Sequence, residues 1–257
     1  MKHITSRDNA FVKSLRRLSQ DASAYRKSGQ VWLEGDHLCR AAQSRGVQPL
    51  QQVFAQSLWD ASAQDESAHG DLYVLSDAVF DSISQLESPA RMGWIVALPS
   101  LSDWDVHAPS VVLDGLQDAG NVGAILRSAS AFGFKQILAL KGTAALWSPK
   151  VLRAGMGAHF GLQLVEGLEA DDIARLALPL LTTSSHAGPF LHELIAQGQL
   201  PQRAAWVLGH EGQGVRAPLQ AQATMQVRIA QPGGEESLNV AAAAAICLHA
   251  SATAQRG

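Results

Sequence analysis

Three separate stretches of the chain combine glycine with polar side chains that could bind or transform a ligand. The first holds Asn121 and Arg127, the second surrounds Glu211 with three glycines, and the third holds Ser237 and Asn239. Glycine lets the backbone approach a ligand closely, while carboxylate, guanidinium, amide and hydroxyl groups supply charge and hydrogen bonds. These five residues are the candidate catalytic residues.

Each stretch also has a plain structural explanation. Asn121, Ser237 and Asn239 stand close to predicted helix starts, where such side chains cap free backbone N–H groups. Arg127 could form a surface ion pair, and Glu211 could be a solvated side chain in a glycine-rich turn. Residue type alone leaves both interpretations open.

The elements that must position these stretches alternate regularly after residue 110. The strands predicted in this part cover 110–114, 136–140, 162–166, 178–183, 204–209 and 225–230. A segment of helical length follows each, which is typical of a parallel sheet, and ligands bind beyond the carboxyl ends of such strands. All three polar stretches follow one of these strands. Gly115, Gly120 and Gly123 do not form the GxGxxG fingerprint, which leaves a nicotinamide-dependent dehydrogenase with little support.

The chain is predicted to hold two α/β domains, at residues 1–99 and 110–257, joined by a polar, proline-containing linker at 100–109. The smaller first domain opens with an amphipathic helix over 8–20. The apolar side of this helix consists of Phe11, Leu15 and Leu18. Short apolar runs that suit strands follow at 31–33, 53–55, 72–75 and 94–97.

Charge is distributed unevenly along the chain. The net charge of −3 would by itself disfavour nucleic acid, yet residues 1–30 carry seven Lys or Arg against two Asp, a net +5 that leaves −8 for the remainder. A basic patch on an otherwise acidic protein attracts phosphates locally. The candidate RNA-binding residues are Arg7, Lys13, Arg16, Arg17, Arg26 and Lys27.

Targeting and cysteine patterns favour a cytoplasmic protein without a metal site. The N-terminus lacks the apolar run of a signal peptide, and no uncharged apolar stretch reaches the ~18 residues of a membrane span. Cys39 and Cys247 are far apart and have no CxxC or histidine neighbour. They are predicted to be buried free thiols.

Together, the three polar stretches resemble the signature motifs of the SpoU, or TrmH-like, RNA methyltransferases of the SPOUT superfamily. The matching residues are Asn121-x-Gly123-x-x-x-Arg127, Gly209-x-Glu211-Gly212-x-Gly214 and Ser237-Leu238-Asn239-Val240. The segment from Arg153 to Ala158 is similar to a further family segment, so the resemblance covers residues 110–250. The basic start of the chain is similar to the small RNA-binding domain that precedes the catalytic domain in many members.

This resemblance implies a fold, a cofactor and an assembly. The fold is a parallel α/β domain with a deep trefoil knot, and the methyl donor is S-adenosylmethionine. Members work as homodimers in which one subunit helps to complete the other's site, and the reaction needs no metal. The cofactor residues that the resemblance implies are Thr183, Leu208, Gly209, Gly212, Ile229, Leu238 and Asn239.

The implied reaction is methylation of a ribose 2′-hydroxyl of RNA. This hydroxyl is a poor nucleophile near neutral pH, so its proton must be removed or its developing negative charge stabilised. By resemblance Arg127 acts on the hydroxyl, either as an unusual base assisted by the RNA phosphate or as a charge stabiliser. The second role is favoured because arginine side chains lose their proton only at strongly alkaline pH. Asn121 and Glu211 would position Arg127 and the ribose, while Ser237 and Asn239 shape the same pocket.

The chain departs from the family pattern at Ala119 and Ala230, where relatives often have proline. It departs also at His210, where Asn, Ser or Thr is common, and at Ala241, where Ser is frequent. The expected substrate is ribosomal RNA, of the large subunit in the first instance. A tRNA 2′-O-methyltransferase and a non-catalytic RNA-binding or ribosome-assembly protein that retains the fold are the alternatives.

Overall fold

The chain folds into two compact units. The computed structural model describes residues 1–61, 70–99, 103–184, 186–233 and 237–254. One unit comprises Met1–Ser100 with Trp147–Phe160, and the other comprises Leu101–Leu146 with Gly161–Gly257. Residues 147–160, which lie within the predicted second domain, therefore pack with the first unit.

A mixed sheet of five strands forms the centre of the first unit. Its strands are β1 (Lys2–Ile4), β2 (Gln30–Glu34), β3 (Pro49–Ala55), β4 (Asp71–Leu75) and β5 (Met92–Ala97). Its first five helices are α1 (Ala10–Gln20), α2 (Ala24–Ser28), α3 (Asp36–Gln43), α4 (Gln56–Ala61) and α5 (Asp77–Asp81). The strand order is β1-β4-β3-β5-β2, and β5 runs antiparallel to β2 and β3 whereas the other pairs are parallel.

Helix α1 forms where its apolar periodicity predicts a helix. Leu15 and Leu18 are buried against the sheet. Phe11 is only partly buried and stacks on Tyr73 of β4, with ring centroids 3.8 Å apart. Val12 is fully buried instead, so the side of the helix that faces the core is rotated towards this residue.

Six parallel strands form the sheet of the second unit. They are β6 (Ser110–Asp114), β7 (Gln136–Leu140), β8 (Gln163–Leu168), β9 (Leu180–Thr183), β10 (Ala205–Gly209) and β11 (Met225–Val227). Helices α6 (Ala119–Ala131), α8 (Ala170–Ile173), α9 (Leu191–Ala196), α10 (Ala217–Gln222) and α11 (Val240–Ala254) surround it, while α7 (Pro149–Gly155) belongs to the first unit. The order is β11-β9-β10-β6-β7-β8 with every pair parallel, which confirms the predicted parallel α/β fold.

Burial explains why these strands could be predicted. Every residue of β6, β7 and β10 is buried, as expected for parallel strands covered on both faces. Strand β11 ends at Val227, three residues before the predicted end, because Arg228 makes only an isolated bridge to Phe190. The trefoil knot stays a prediction of the resemblance.

The predicted linker contributes to the second unit. Residues 100–102 lie outside the described residues. Trp104 is buried in the core of this unit, and the backbone N–H of Asp105 donates to Oε1 of Gln136 at 2.9 Å. The proline and polar residues at 103–109 therefore do not mark a free linker, because this segment packs into the second unit.

The segment Trp147–Phe160, which packs with the first unit, has a tightly constrained backbone. Ser148 caps α7 by accepting the N–H of Val151 at 3.4 Å, and the helix ends at Met156 in the left-handed region (φ 49°). Gly157 follows with φ 84°, and a Cβ there would lie 2.3 Å from Cβ of Ala41. Only glycine fits this position. The segment includes the family-like residues from Arg153 to Ala158.

Both cysteines are free and buried, as predicted. Burial raises the pKa of the Cys39 thiol to about 12, and it does the same for Cys247. Thiols react as thiolates, so neither side chain is a nucleophile near neutral pH. Within the described ranges, no helix combines the length and apolar character needed to cross a membrane.

Candidate active site

The loop after β6 leads to the first candidate residue. Asp118 caps α6, because its carboxylate accepts the backbone N–H of Asn121 at 2.7 Å. Asn121 therefore lies in the first turn of α6 and is not the cap. Its side chain remains available for other contacts, which makes the capping explanation of Asn121 wrong.

The glycine-rich turn after β10 closes on itself. The N–H of His210 donates to the carbonyl of Gly214 at 3.0 Å, and the N–H of Gly214 donates to the carbonyl of His210 at 2.8 Å. Gly209 lies beneath this turn, and a Cβ there would be 2.2 Å from the backbone of Gly214 and Val215. The turn can close only over a glycine, and it presents Glu211 at its tip.

His210 takes over a role that shorter polar side chains can fill. Its Nδ1 accepts the N–H groups of Gly212 at 3.0 Å and Gln213 at 3.3 Å. The Asn, Ser or Thr common at this position in the family also offers a side-chain acceptor. This departure therefore retains the internal hydrogen bonding of the turn.

The third stretch brings Asn239 to the same place. Residues 234–236 lie outside the described residues, and Ser237 and Leu238 are exposed. Oδ1 of Asn239 accepts the N–H groups of Ala241 at 2.9 Å and Ala242 at 3.2 Å, so Asn239 caps α11. Its amide nitrogen stays available for a further contact.

A chain of hydrogen bonds joins one residue from each stretch. Nδ2 of Asn239 donates to Oδ1 of Asn121 at 3.0 Å, and Nδ2 of Asn121 donates to Oε1 of Glu211 at 3.2 Å. These contacts span 118 and 90 residues of sequence. Three of the five predicted catalytic residues are therefore in direct contact at the carboxyl edge of the parallel sheet.

The carboxylate of Glu211 is held in its charged form. Partial burial alone would raise its pKa, but hydrogen bonds from its own backbone N–H and from Asn121 more than offset this effect. The backbone N–H groups of Asp118 and Gln117, ahead of α6, also favour the charged form. The pKa of Glu211 is therefore below its usual value of 4.5, and near neutral pH the carboxylate only accepts hydrogen bonds.

The other two candidate catalytic residues lie outside this hydrogen-bonded set. Arg127 is exposed on α6, six residues after Asn121, which is about 9 Å farther along the helix axis. Neither the Arg127 nor the Ser237 side chain has a hydrogen bond or ion pair with another residue that the structure describes. The guanidinium of Arg127 is thus free to meet a ligand.

The predicted cofactor residues gather at neighbouring strand ends. Thr183 ends β9, Leu208 and Gly209 end β10, and Ile229 follows β11, while β11, β9 and β10 are adjacent in the sheet. Oγ1 of Thr182 is buried there without a hydrogen-bond partner among the described residues. Gly212 lies in the turn that carries Glu211. No group of three or more His, Cys, Asp or Glu suited to a metal ion occurs in the described ranges.

An ion pair that sequence reasoning missed connects two of the loops. Asp114, the last residue of β6, accepts the backbone N–H of Arg216 at 2.7 Å and also binds its Nε. The side chain of Asp114 is fully buried. A signal existed, since a carboxylate that ends a buried apolar strand needs a partner. Thr143 adds a further tie by accepting the N–H of Gly115 at 3.2 Å.

Two of the six basic residues predicted to bind RNA support the first unit itself. Arg16 is partly buried, and its Nη2 donates to Oγ of Ser82 at 3.0 Å. Nη2 of Arg7 donates to the carbonyl of Ala78 at 3.2 Å. These contacts tie the N-terminal segment to α5 and the residue that follows it.

The remaining four basic residues are exposed, as Arg7 is. Lys13 forms an ion pair with Asp8, and Arg17 forms one with Asp21. Arg26 donates a hydrogen bond to the hydroxyl of Tyr25. The Lys27 side chain makes no hydrogen bond or ion pair with any residue in the described part of the chain. All four remain within reach of an external phosphate.

Family models match most of the chain. A model of the SpoU rRNA Methylase family matches residues 108–249, and a model of the MRM3-like substrate binding domain matches residues 9–93. These ranges contain the three polar stretches and most of the basic N-terminal residues.

Similar proteins and structures extend over nearly the full length. An uncharacterized tRNA/rRNA methyltransferase of Synechocystis is 32% identical over 96% of this chain and 92% of its own length. The 23S rRNA (guanosine(2553)-2′-O)-methyltransferase RlmP of Bacillus subtilis is 27% identical over 97% and 98%. The crystal structure of an RNA 2′-O ribose methyltransferase has a TM-score of 0.78 at 30% identity and covers 99% of both chains.

A more distant structure shares the fold. It is the SpoU methyltransferase AviRb from Streptomyces viridochromogenes in complex with AdoMet, with a TM-score of 0.82 at 19% identity, covering 96% of this chain and 98% of that one. The same architecture therefore persists where sequence identity is low. With a family model that spans more than half of its residues, this chain belongs to the SpoU rRNA methylase family.

Proposed function

We propose that this protein is an S-adenosylmethionine-dependent methyltransferase that modifies a ribose 2′-hydroxyl of ribosomal RNA. The observation that carries the proposal is the hydrogen-bonded set of Asn121, Glu211 and Asn239, which joins three family motifs at the carboxyl edge of a parallel sheet. The retained turn at His210 supports catalysis over a non-catalytic role, because the altered residue still holds Glu211 in place.

The residues at the strand ends fit S-adenosylmethionine by chemistry. Ile229 and Leu238 offer apolar surface for an adenine ring, and the backbone near Thr183 and Gly209 offers hydrogen bonds. Leu208, also in the proposed set, is fully buried at the end of β10. Gly212 and Asn239 complete the proposed set. The ionised Glu211 places a negative charge at this edge, which suits a cationic sulfonium. When bound, the cofactor supplies an electrophilic methyl group.

The protein's own residues would prepare the ribose hydroxyl for attack. Asn121 uses one N–H and one lone pair on its neighbours, which leaves one N–H to orient the ribose. The exposed guanidinium of Arg127 would stabilise negative charge that develops on the hydroxyl oxygen. Ser237 would border the same pocket. Glu211 would act by fixing Asn121, since its low pKa keeps it from donating a proton.

The test uses labelled methyl donor with unmodified large-subunit ribosomal RNA and with unmodified tRNA in parallel. Alkaline hydrolysis maps the product, because a 2′-O-methyl group blocks cleavage at its own position. Label on a ribose of ribosomal RNA is the expected result. A protein that modifies this RNA would work in the cytoplasm, which is the proposed location.

Other outcomes correct or refute the proposal. Label on a tRNA ribose alone would change the substrate, and label only on a base would refute the ribose assignment. RNA binding without methyl transfer or cofactor binding would favour the non-catalytic alternative.

We further propose that Lys13, Arg17, Arg26 and Lys27, which are exposed in the N-terminal segment, contact RNA phosphates. Changing Arg26 and Lys27 together to Gln is expected to raise the KM for RNA and to lower the slope of log KM against log salt by about 0.7–0.9 per lost contact. The matched control changes Arg40 and Arg45 to Gln, which removes the same charge from an exposed part of the same unit. Equal effects in the two variants would show that only net charge matters.

Helix α11 supports the proposed homodimer. It has apolar residues on every side, yet one side remains exposed and carries Ala242 and Ile246 together with His249 and Thr253. This side borders an apolar groove of about 690 Å³ that also includes Ile195. Ile246 and Ile195 are 41% and 44% exposed. A helix that is apolar all round is normally buried all round, so a second copy is the proposed cover.

Changing Ile246 to Asp is therefore expected to dissociate the dimer. Light scattering after gel filtration should give twice the chain mass of 27.3 kDa for wild type and one chain mass for the variant. Leu50→Asp is the matched control, because Leu50 is a similarly exposed apolar residue of the other unit. A monomeric wild-type protein would contradict the dimer, and a dimeric Ile246→Asp protein would contradict this face.

A further inference from the structure

The ion pair between Asp114 and Arg216 has both of its carboxylate oxygens engaged by a single residue. Oδ2 accepts the backbone N–H of Arg216 at 2.7 Å, and Oδ1 binds Nε of the same side chain. The Asp114 side chain is 0% exposed. Burying a carboxylate is costly, and replacing a buried ion pair by apolar residues of similar volume often costs a fold no stability. Only the carboxylate is buried here, since the Arg216 side chain is 44% exposed. The pair therefore indicates a need for fixed geometry.

Asp114 fixes both ends of the turn that carries Glu211. At one end, Asp114 lies opposite Gly209 in the register of β6 and β10. At the other end, its carboxylate holds Arg216, two residues after Gly214 closes the turn. The chain from 210 to 215 is thus anchored before and after Glu211 to the same residue.

Asp114 also begins the loop that leads to Asn121. Gly115 follows it, and its N–H donates to Thr143. Asp118 then caps α6 three residues before Asn121. A shift of Asp114 would therefore move the start of the Asn121 loop and both ends of the Glu211 turn. The 3.2 Å contact between Asn121 and Glu211 depends on these two segments keeping their relative position.

We propose that the Asp114–Arg216 pair is a positioning device that sets Glu211 against Asn121 and keeps the Gly209–Gly214 turn closed for the cofactor. Neither residue needs to touch substrate. The inference rests on the proposed function, because it assigns the pair to cofactor affinity and turnover at that site.

The test compares Arg216→Met, Arg216→Lys and the double variant Asp114→Asn/Arg216→Met. Arg203→Met is the matched control, since Arg203 is an exposed arginine ahead of β10 whose side chain, among the described residues, bonds the carbonyl of His107 alone. Cofactor Kd is measured by calorimetry, and kcat and the KM for RNA are measured well below the melting temperature. Hydrogen exchange follows the N–H of Gly214 as a readout that needs no activity.

Arg216→Met is expected to raise the cofactor Kd and to lower kcat by about 10–100-fold each, with the KM for RNA within about twofold of wild type. It leaves a buried carboxylate with one partner fewer, so Tm should fall by about 5–15 °C. The double variant should regain most of the lost Tm but not the lost affinity. Arg216→Lys, which keeps the charge, should recover part of the affinity.

Two results would overturn the proposal. One is wild-type Kd and kcat in Arg216→Met; the other is recovery of both Tm and Kd in the double variant, which would make the pair purely structural. If the wild-type protein transferred no methyl group, the proposed function would fail separately. Exchange of the Gly214 N–H would still decide the positioning role, because faster exchange is expected in Arg216→Met and in the double variant but not in Arg203→Met.

Discussion

Arg127→Ala is expected to lower kcat for RNA methylation by a factor of about 10²–10³, as removal of a charge-stabilising donor does in other enzymes. The cofactor Kd should stay within about twofold of wild type. Arg127 is exposed, and its side chain makes no hydrogen bond or ion pair with another described residue, so its removal leaves no unpaired group in the protein. The free energy of unfolding should therefore change by no more than about 0.5 kcal/mol, as it does for other surface substitutions. The defect would thus lie in the chemistry alone.

Single-turnover rates at saturating cofactor and RNA provide the measurement. Lys135→Ala is the control, because it removes an exposed cation of the same unit that follows α6. Arg127→Lys should retain part of the rate, since it keeps a positive charge but loses the planar guanidinium. A wild-type rate in Arg127→Ala would eliminate the assigned role.

Gly209→Ala is expected to abolish tight cofactor binding and to destabilise the second unit. The added Cβ would lie 2.2 Å from two backbone atoms, which cannot rotate away as a side chain can. The turn must open, and this separates His210 from Gly214 and moves Glu211 away from Asn121. The unfolding free energy should fall by about 1–3 kcal/mol, the usual cost of overpacking. We expect the cofactor Kd to rise more than in any other variant described above.

Calorimetry of cofactor binding and thermal unfolding measure the two effects. Gly212→Ala is the control for stability, because a Cβ at Gly212 would meet only the His210 ring at 3.8 Å. It should keep the wild-type Tm. If Gly209→Ala kept both Tm and cofactor affinity, the closed form of the turn would not be required.

The sheet of the second unit was predictable because burial on both faces leaves a continuous apolar run in the sequence. The strands at 110–114 and 136–140 have the predicted bounds for this reason. Strand β1 gave no such signal, since Lys2–Ile4 is three residues long and only Ile4 is buried. Its pairing with β4, 71 residues away along the chain, decides its structure.

The contact among Asn121, Glu211 and Asn239 followed from topology and not from any local pattern. Each residue follows a different parallel strand, so their strand ends share one edge of the sheet. Asn121 does not cap α6. The capping residue is Asp118, three residues earlier, whose carboxylate accepts the backbone N–H of Asn121 itself. At Asn239 both interpretations hold, since its oxygen caps α11 and its nitrogen joins the site.

Charge patterning was informative about a region but not about each residue. The sequence distinguishes a basic N-terminal segment, yet it does not reveal that Arg16 is drawn inward by Ser82. The Asp114–Arg216 pair was missed because neither residue belongs to a charged cluster in the sequence. A lone Asp at a strand end and a lone Arg after a turn, 102 residues apart, become a pair only when β6 and β10 lie side by side.

The two buried thiols allow local unfolding of the protein to be measured by chemical modification. Cys39 lies in one compact unit and Cys247 in the other, and the chain has no further cysteine. An alkylating reagent can reach either sulfur only after the surrounding unit has opened, and each modified peptide identifies which unit that was. Unlabelled, unmutated protein thus allows the opening rates of the two units to be followed separately in one sample.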